Sequence, residues 1–263
     1  MSGDPALLIE DLVAGYGEQI VLDGVSLTAA RGEILVVLGA TGSGKSTLLR
    51  CVVGLLAPLR GRVLVRGRDV NAASGRAREE ILRDVGLAFQ DAALLNSLTT
   101  AENVALPIVE HWDVDEPTAL MLARLRLASV GLAGAGEKMP GELSGGMRKR
   151  AGIARAIALE PGLLLLDEPT AGLDPTTARA VDELILGFKA RGDMAIVAVT
   201  HELGSINTIA DRAMMLAKGS VIAAGSLAEV RADPDGRVQA FFQRKLLPAA
   251  AGRSLADELA WRP

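Results

Sequence analysis

The chain has 263 residues, 49% hydrophobic and 23% charged, enough for a packed α/β domain with an inserted lobe. Its net charge of -4 argues against a general nucleic-acid binder, which needs a basic face, and no nucleic-acid partner is expected. The one cysteine, Cys51, excludes an internal disulfide, fits a reducing compartment, and sits in an apolar stretch where a buried packing role is expected. Residues 1–5 show no basic region ahead of an apolar block, so no signal peptide is expected. No apolar run approaches the ~20 residues of a membrane helix, so any membrane role must come through a partner.

In chain order, residues 6–13 and 24–30 read as strands around the turn-rich Gly15-Tyr16-Gly17. Residues 34–38 form a short apolar strand that meets a glycine cluster, and a helical pattern starts at Lys45. Residues 63–65 and 85–89 read as further strands. Helical periodicity fills 101–158, with breaks expected at Pro107, at Pro117 and across 131–141. Residues 163–166 are four leucines in a row, as in a parallel strand covered on both faces, and 195–199 is a second such run. Residues 214–217 and 221–224 read as a hairpin turning at Lys218-Gly219-Ser220. Strands alternating with helices predict a mostly parallel sheet.

Two clusters carry chemistry. Gly39-Ala40-Thr41-Gly42-Ser43-Gly44-Lys45-Ser46 fits G-x-x-x-x-G-K-[ST], with Thr47 next in the helix. Glycines let backbone N–H groups turn toward phosphate oxygens, and the helix start adds its positive dipole end. Lys45 would reach the β- and γ-phosphates of a nucleoside triphosphate, and Ser46 would bind Mg²⁺. The second cluster is Asp167-Glu168, delivered at the end of the leucine strand, where α/β sheets bind ligands. Asp167 would hold the Mg²⁺ shell, and Glu168 would activate the attacking water. A third feature is Leu143-Ser144-Gly145-Gly146-Met147, in which Ser144 caps a strong helix whose start is open to an anion.

These motifs make the chain resemble an ATPase of the ABC transporters, from Tyr16 to about residue 245. Leu143-Ser144-Gly145-Gly146-Met147 matches that family's signature, which other P-loop classes lack. Gln90 matches the Q-loop glutamine, which contacts Mg²⁺ and water and senses the permease. Ala171-Gly172-Leu173-Asp174 matches the D-loop. His201 matches the switch histidine at the γ-phosphate, and Tyr16, the only tyrosine, matches the aromatic that stacks on adenine.

The resemblance implies a RecA-like α/β core with an N-terminal antiparallel β lobe and an inserted helical lobe at about 91–158. It implies one ATPase domain over 1–247 and a tail, 248–263, suited to a dimer contact. It implies a homodimer in which Ser144, Gly145, Gly146 and Asp174 act in trans, ATP and Mg²⁺ as cofactors, and a transmembrane permease as partner.

Met147, in place of the usual glutamine, and the segments 89–107 and 233–242 are similar to ATPases of bacterial phospholipid transport, the Mla and MCE-type systems. That subgroup implies an MCE-domain lipid-binding partner, in some systems a small STAS-domain subunit, and a place on the cytoplasmic face of the inner membrane. Residues 92–95, an apolar run beside Gln90, are expected to line the permease groove. Amino-acid or lipoprotein cargo is the alternative. Non-transport ABC proteins usually carry two ATPase domains or a coiled-coil insertion, and the chain has neither.

Overall fold

A computed structural model describes residues 4–243. The N-terminal layer is an antiparallel sheet with strand order β2-β1-β4-β5, made of β1 (Leu7–Tyr16), β2 (Gln19–Ala29), β4 (Arg60–Val65) and β5 (Arg68–Asp69). β1 and β2 run further than their sequence suggests. Gly15 pairs with Ile20 and Tyr16 with Gln19, so the turn is confined to Gly17 and Glu18.

The central sheet has six strands in the order β10-β9-β3-β8-β7-β6. They are β3 (Ile34–Leu38), β6 (Val85–Ala88), β7 (Leu163–Asp167), β8 (Ala195–Thr200), β9 (Arg212–Ala217) and β10 (Ser220–Ser226). All neighbours are parallel except the β9–β10 hairpin. That hairpin turns at Lys218 and Gly219, both at positive φ, as a two-residue hairpin turn demands.

The unbroken apolar runs are explained by cores on both faces of this sheet. Ile34, Val36, Leu38, Leu164, Leu166, Ile196 and Ala198 join one core. Leu35, Val37, Leu163, Leu165, Ala195, Val197 and Val199 join the other, with the antiparallel sheet and helix α1 (Lys45–Val52). Successive side chains of a strand point to opposite faces, so a strand buried on both needs no polar positions. Cys51 is fully buried in α1, and burial pushes its thiol up to about 11.

The segment between β6 and β7 holds α3 (Thr100–His111), α4 (Glu116–Ser129) and α5 (Gly145–Ala156), following α2 (Gly75–Leu82). Pro107 does not break α3. A capping box between Thr99 and Glu102 fixes the helix start, and burial of Val104, Ala105 and Ile108 holds a helix that lacks one internal hydrogen bond. Pro117 starts α4 instead of interrupting it, beside the Asp115 cap, where a missing N–H costs nothing. The break across 131–141 is present, closed by a 3₁₀ turn at Pro140–Glu142. The chain then runs through α6 (Pro175–Lys189), α7 (Leu203–Ile209), α8 (Leu227–Ala232) and α9 (Gly236–Gln243). The expected tail, 248–263, lies outside the described residues.

Candidate functional site

The parallel strands β3, β8, β7 and β6 are consecutive neighbours, so whatever follows their C-terminal ends shares one rim. After β3 comes the loop 39–44. Gly39 has φ 152, and a Cβ there would lie 2.3 Å from the Leu216 carbonyl oxygen. Gly44 has φ 108, and a Cβ would lie 2.6 Å from Leu22 Cδ2. Neither position admits a side chain. α1 starts at Gly44 with no side-chain cap, which leaves its first N–H groups for an anion. Ala40, Thr41 and Gly42 are exposed, whereas Ser43, Lys45 and Thr47 are buried. Lys45 Nζ donates to the carbonyls of Gly39 (2.9 Å) and Ala40 (3.1 Å) and stands 4.0 Å from Glu168 Oε1. Burial lowers its pKa against the pull of Glu168 and Asp167.

β7 delivers Asp167, whose Oδ1 accepts a 3.3 Å hydrogen bond from Ser46 Oγ. Burial raises the Asp167 pKa. Ser46 and Asp167 are a hydroxyl–carboxylate pair beside the phosphate loop, a hard-oxygen set that fits Mg²⁺, an ion that keeps several waters and uses few protein ligands.

Glu168 is 7% exposed and left-handed, with φ 48. Its N–H donates to Val199 O at 2.9 Å, and its Oε1 lies 2.8 Å from Nδ1 of His201, which follows β8. Its Oε2 is buried without a partner. Carboxylate, histidine and lysine therefore meet at one point, with one carboxylate oxygen uncommitted.

The remaining expected residues are not joined to this cluster. Gln90 follows β6 and is exposed. Ser144 caps α5 by accepting from the Met147 N–H. Gly145 is exposed, and Gly146 is pressed against α6, where a Cβ would lie 2.3 Å from Thr177 Cγ2. Asp174 caps α6 by accepting from Thr176 and Thr177, which lowers its pKa. Among the described residues no hydrogen bond links Ser144, Gly145, Gly146 or Asp174 to the phosphate loop or Glu168. Tyr16 is 45% exposed at the end of β1, and its hydroxyl accepts from Arg50 Nη1 of α1 at 2.7 Å.

The run 92–95 is not wholly exposed. Ala92 is buried beneath Gly152, while Ala93 and Leu95 face outward. Ala92 and Ala93 both have positive φ, and Arg155 of α5 holds this turn by donating to both carbonyls at 2.7 Å. His111 is half-buried, and its Nδ1 accepts from Arg83.

Two features escaped the sequence. Lys149 Nζ donates to the Glu168 carbonyl at 2.6 Å. Asp182 of α6 lines a cavity of about 650 Å³ with Thr170 and Ser205, whose hydroxyls are 2.8 Å apart. Burial pushes Asp182 up to about 6. A raised folded-state pKa favours the neutral form, so Asp182 costs stability as pH rises from the unfolded value to about 6, and the cost stays constant above that. Asp182→Asn is therefore expected to stabilise the chain by about 1–3 kcal/mol near pH 8, a gain that shrinks toward pH 4. Urea unfolding across that range checks it, and a pH-independent difference contradicts it.

A phosphate loop, a carboxylate pair and a histidine on one rim define a P-loop nucleotide-hydrolysing fold. The family model described as ABC transporter matches residues 22–171, and the chain belongs to that family. It is 39% identical over 233 residues to the intermembrane phospholipid transport system ATP-binding protein MlaF of Escherichia coli strain K12, covering 89% of this chain and 87% of MlaF. It is 38% identical over 244 residues to the methionine import ATP-binding protein MetN of Brucella abortus, covering 93% of this chain and 66% of MetN. The dimeric post-hydrolysis structure of the ATP-binding cassette MJ0796 bound to ADP and Pi superimposes with TM-score 0.77 at 30% identity, covering 84% of this chain and 98% of that one. The chain is thus an ABC ATPase that uses ATP and Mg²⁺ for hydrolysis coupled to transport, a domain that implies a membrane permease and dimerisation.

Proposed function

We propose that the chain energises phospholipid transport as a homodimer at the cytoplasmic face of the inner membrane, in an MCE-type system. The observation that carries the cargo is the likeness to MlaF over 89% of the chain, together with Met147 in the signature. In this reading the ATPase domain occupies 1–247, with its helical lobe at about 91–158. Its partners are a permease, an MCE-domain lipid-binding protein and, in some systems, a STAS-domain subunit. The hollow of about 410 Å³ lined by Phe89, Ala93, Pro107, His111 and Arg155, beside Gln90, receives the permease. The likeness to MetN favours an amino-acid cargo as the second reading.

In the proposed mechanism, the N–H groups of residues 39–47 cradle the phosphates. Lys45 leaves the Gly39 and Ala40 carbonyls for the β- and γ-phosphates. Ser46, Asp167 and Gln90 would hold Mg²⁺, which would supply charge neutralisation to the phosphates. Glu168 accepts the proton of the attacking water through its uncommitted oxygen, while His201 holds the other and faces the γ-phosphate. Ser144, Gly145, Gly146 and Asp174 of the second subunit complete the site, and two helix starts converge on charge that one cannot neutralise.

Tyr16 stacks on adenine. Tyr16→Ala is expected to weaken ATP binding roughly 5- to 150-fold, the equivalent of ~1–3 kcal/mol of stacking. Tyr16→Phe, which loses only the Arg50 bond, should bind nearly as the parent does. Calorimetric titration separates the two, and equal loss in both variants contradicts stacking.

The cargo is tested by affinity capture of the tagged chain from its native membrane in mild detergent, with mass spectrometry of proteins and lipids. Recovery of a permease, an MCE-domain protein and phospholipid is the expected result. A different permease with no MCE protein discards the lipid reading.

A further inference from the structure

The sequence 148–150 is Arg-Lys-Arg, and its three side chains have different destinations. Arg148 donates to the Leu143 carbonyl and Arg150 to the carbonyls of Val130 and Gly131, all within the helical layer. Lys149 alone crosses to the rim of the sheet, where its half-buried ammonium donates to the Glu168 carbonyl at 2.6 Å.

Glu168 is a non-glycine residue at φ 48, a conformation that persists only where the surroundings hold it. Four groups do so. Val199 of β8 accepts its N–H, His201 meets its Oε1, Lys149 binds its carbonyl, and the Ala171 N–H donates to the same carbonyl at a longer 3.3 Å. The first two belong to β8 and the residues just after it. Only the third comes from α5. We propose that Lys149 is a positioning residue for hydrolysis, fixing the Glu168 peptide so that its carboxylate faces the attacking water and coupling that peptide to the helix begun by Ser144, Gly145 and Gly146.

The electrostatics support this placement. Desolvation lowers the pKa of Lys149, and Asp91, Glu168 and Asp167 attract its charge. Asp91 is adjacent in sequence to Gln90, the residue assigned to sense the permease, so the Lys149 charge is attracted both from that side and by the residue assigned to activate water. The inference rests on the proposed roles of Glu168 and of the α5 start. Because α5 faces the second subunit's nucleotide in that reading, Lys149 gives that contact a direct line to the Glu168 of its own subunit. A displacement of α5 on engagement would reorient the Glu168 peptide through one hydrogen bond.

The test is steady-state phosphate release by the full chain with Mg-ATP, at a temperature below the unfolding midpoint of every variant. Lys149→Met is expected to lower kcat roughly 10- to 100-fold, the loss of one charge-assisted bond, with KM for ATP within about twofold. Lys149→Arg, which can donate to the same carbonyl, is expected to recover most of the rate. In a Glu168→Gln background, Lys149→Met is expected to cause no further loss, because it acts through Glu168. An unchanged kcat, an effect confined to KM, or a multiplied loss in the Glu168→Gln background overturns the proposal. If Glu168→Gln alone hydrolyses at the parental rate, the assignment of Glu168 itself fails, whatever Lys149 does.

Discussion

Glu168→Gln is expected to reduce ATP hydrolysis by about 10²–10⁴-fold while leaving Mg-ATP bound and the dimer closed. The substitution keeps the shape and hydrogen-bonding reach of the side chain but removes its capacity to accept a proton. His201 Nδ1, 2.8 Å from Glu168 Oε1, can still be satisfied by an amide oxygen. Nothing in the phosphate loop changes, because Lys45 donates its direct hydrogen bonds to the Gly39 and Ala40 carbonyls and only approaches Glu168 at 4.0 Å. Binding and chemistry should therefore separate. Light scattering with Mg-ATP is expected to show a stable dimer for the variant, and phosphate release to show almost none. A variant that turns over at the parental rate removes Glu168 from the reaction.

Lys45→Met is expected to act at the earlier step, weakening ATP binding by roughly 30- to several-thousand-fold, the equivalent of about 2–5 kcal/mol for a buried charge contact. Lys45 is 7% exposed at the base of the loop, where a phosphate chain would meet its ammonium with little water between them. Lys45→Arg is not a conservative change here, since a bulkier planar guanidinium would replace a compact ammonium at a buried position. Both variants should fail in a calorimetric titration with ATP that Glu168→Gln passes. Binding within about twofold of the parent would show that the loop's N–H groups hold the phosphates alone.

The parts of this site legible in the sequence are contiguous ones. Gly39 through Ser46 form one loop and helix start because glycine is required at 39 by φ 152 and the nearby Leu216 carbonyl, and at 44 by φ 108, and Asp167-Glu168 follow a strand whose leucines enter two cores. His201 was legible through the family resemblance, and the pairing of β8 with β7 shows why it reaches the same rim. What escaped depends on partners distant in the chain. Lys149 meets Glu168 across 19 residues, Thr170 meets Ser205 across 35, and Arg155 meets Ala93 across 62. Local pattern misled at Pro107, where packing and capping outweighed one lost hydrogen bond, and at Ala92, an apolar residue that Gly152 draws inward. The acidic residue Asp182 carried no signal at all, since burial between α6 and α7 is a property of their packing.

The most direct test is to incubate the full chain and its Glu168→Gln variant with Mg²⁺ and ATP labelled at the γ-phosphate, and to follow the label. The account predicts free phosphate and ADP in equal amounts from the parent chain, and almost none from the variant. Label transferred to a protein or small-molecule acceptor, or no consumption of ATP by the parent, would contradict it.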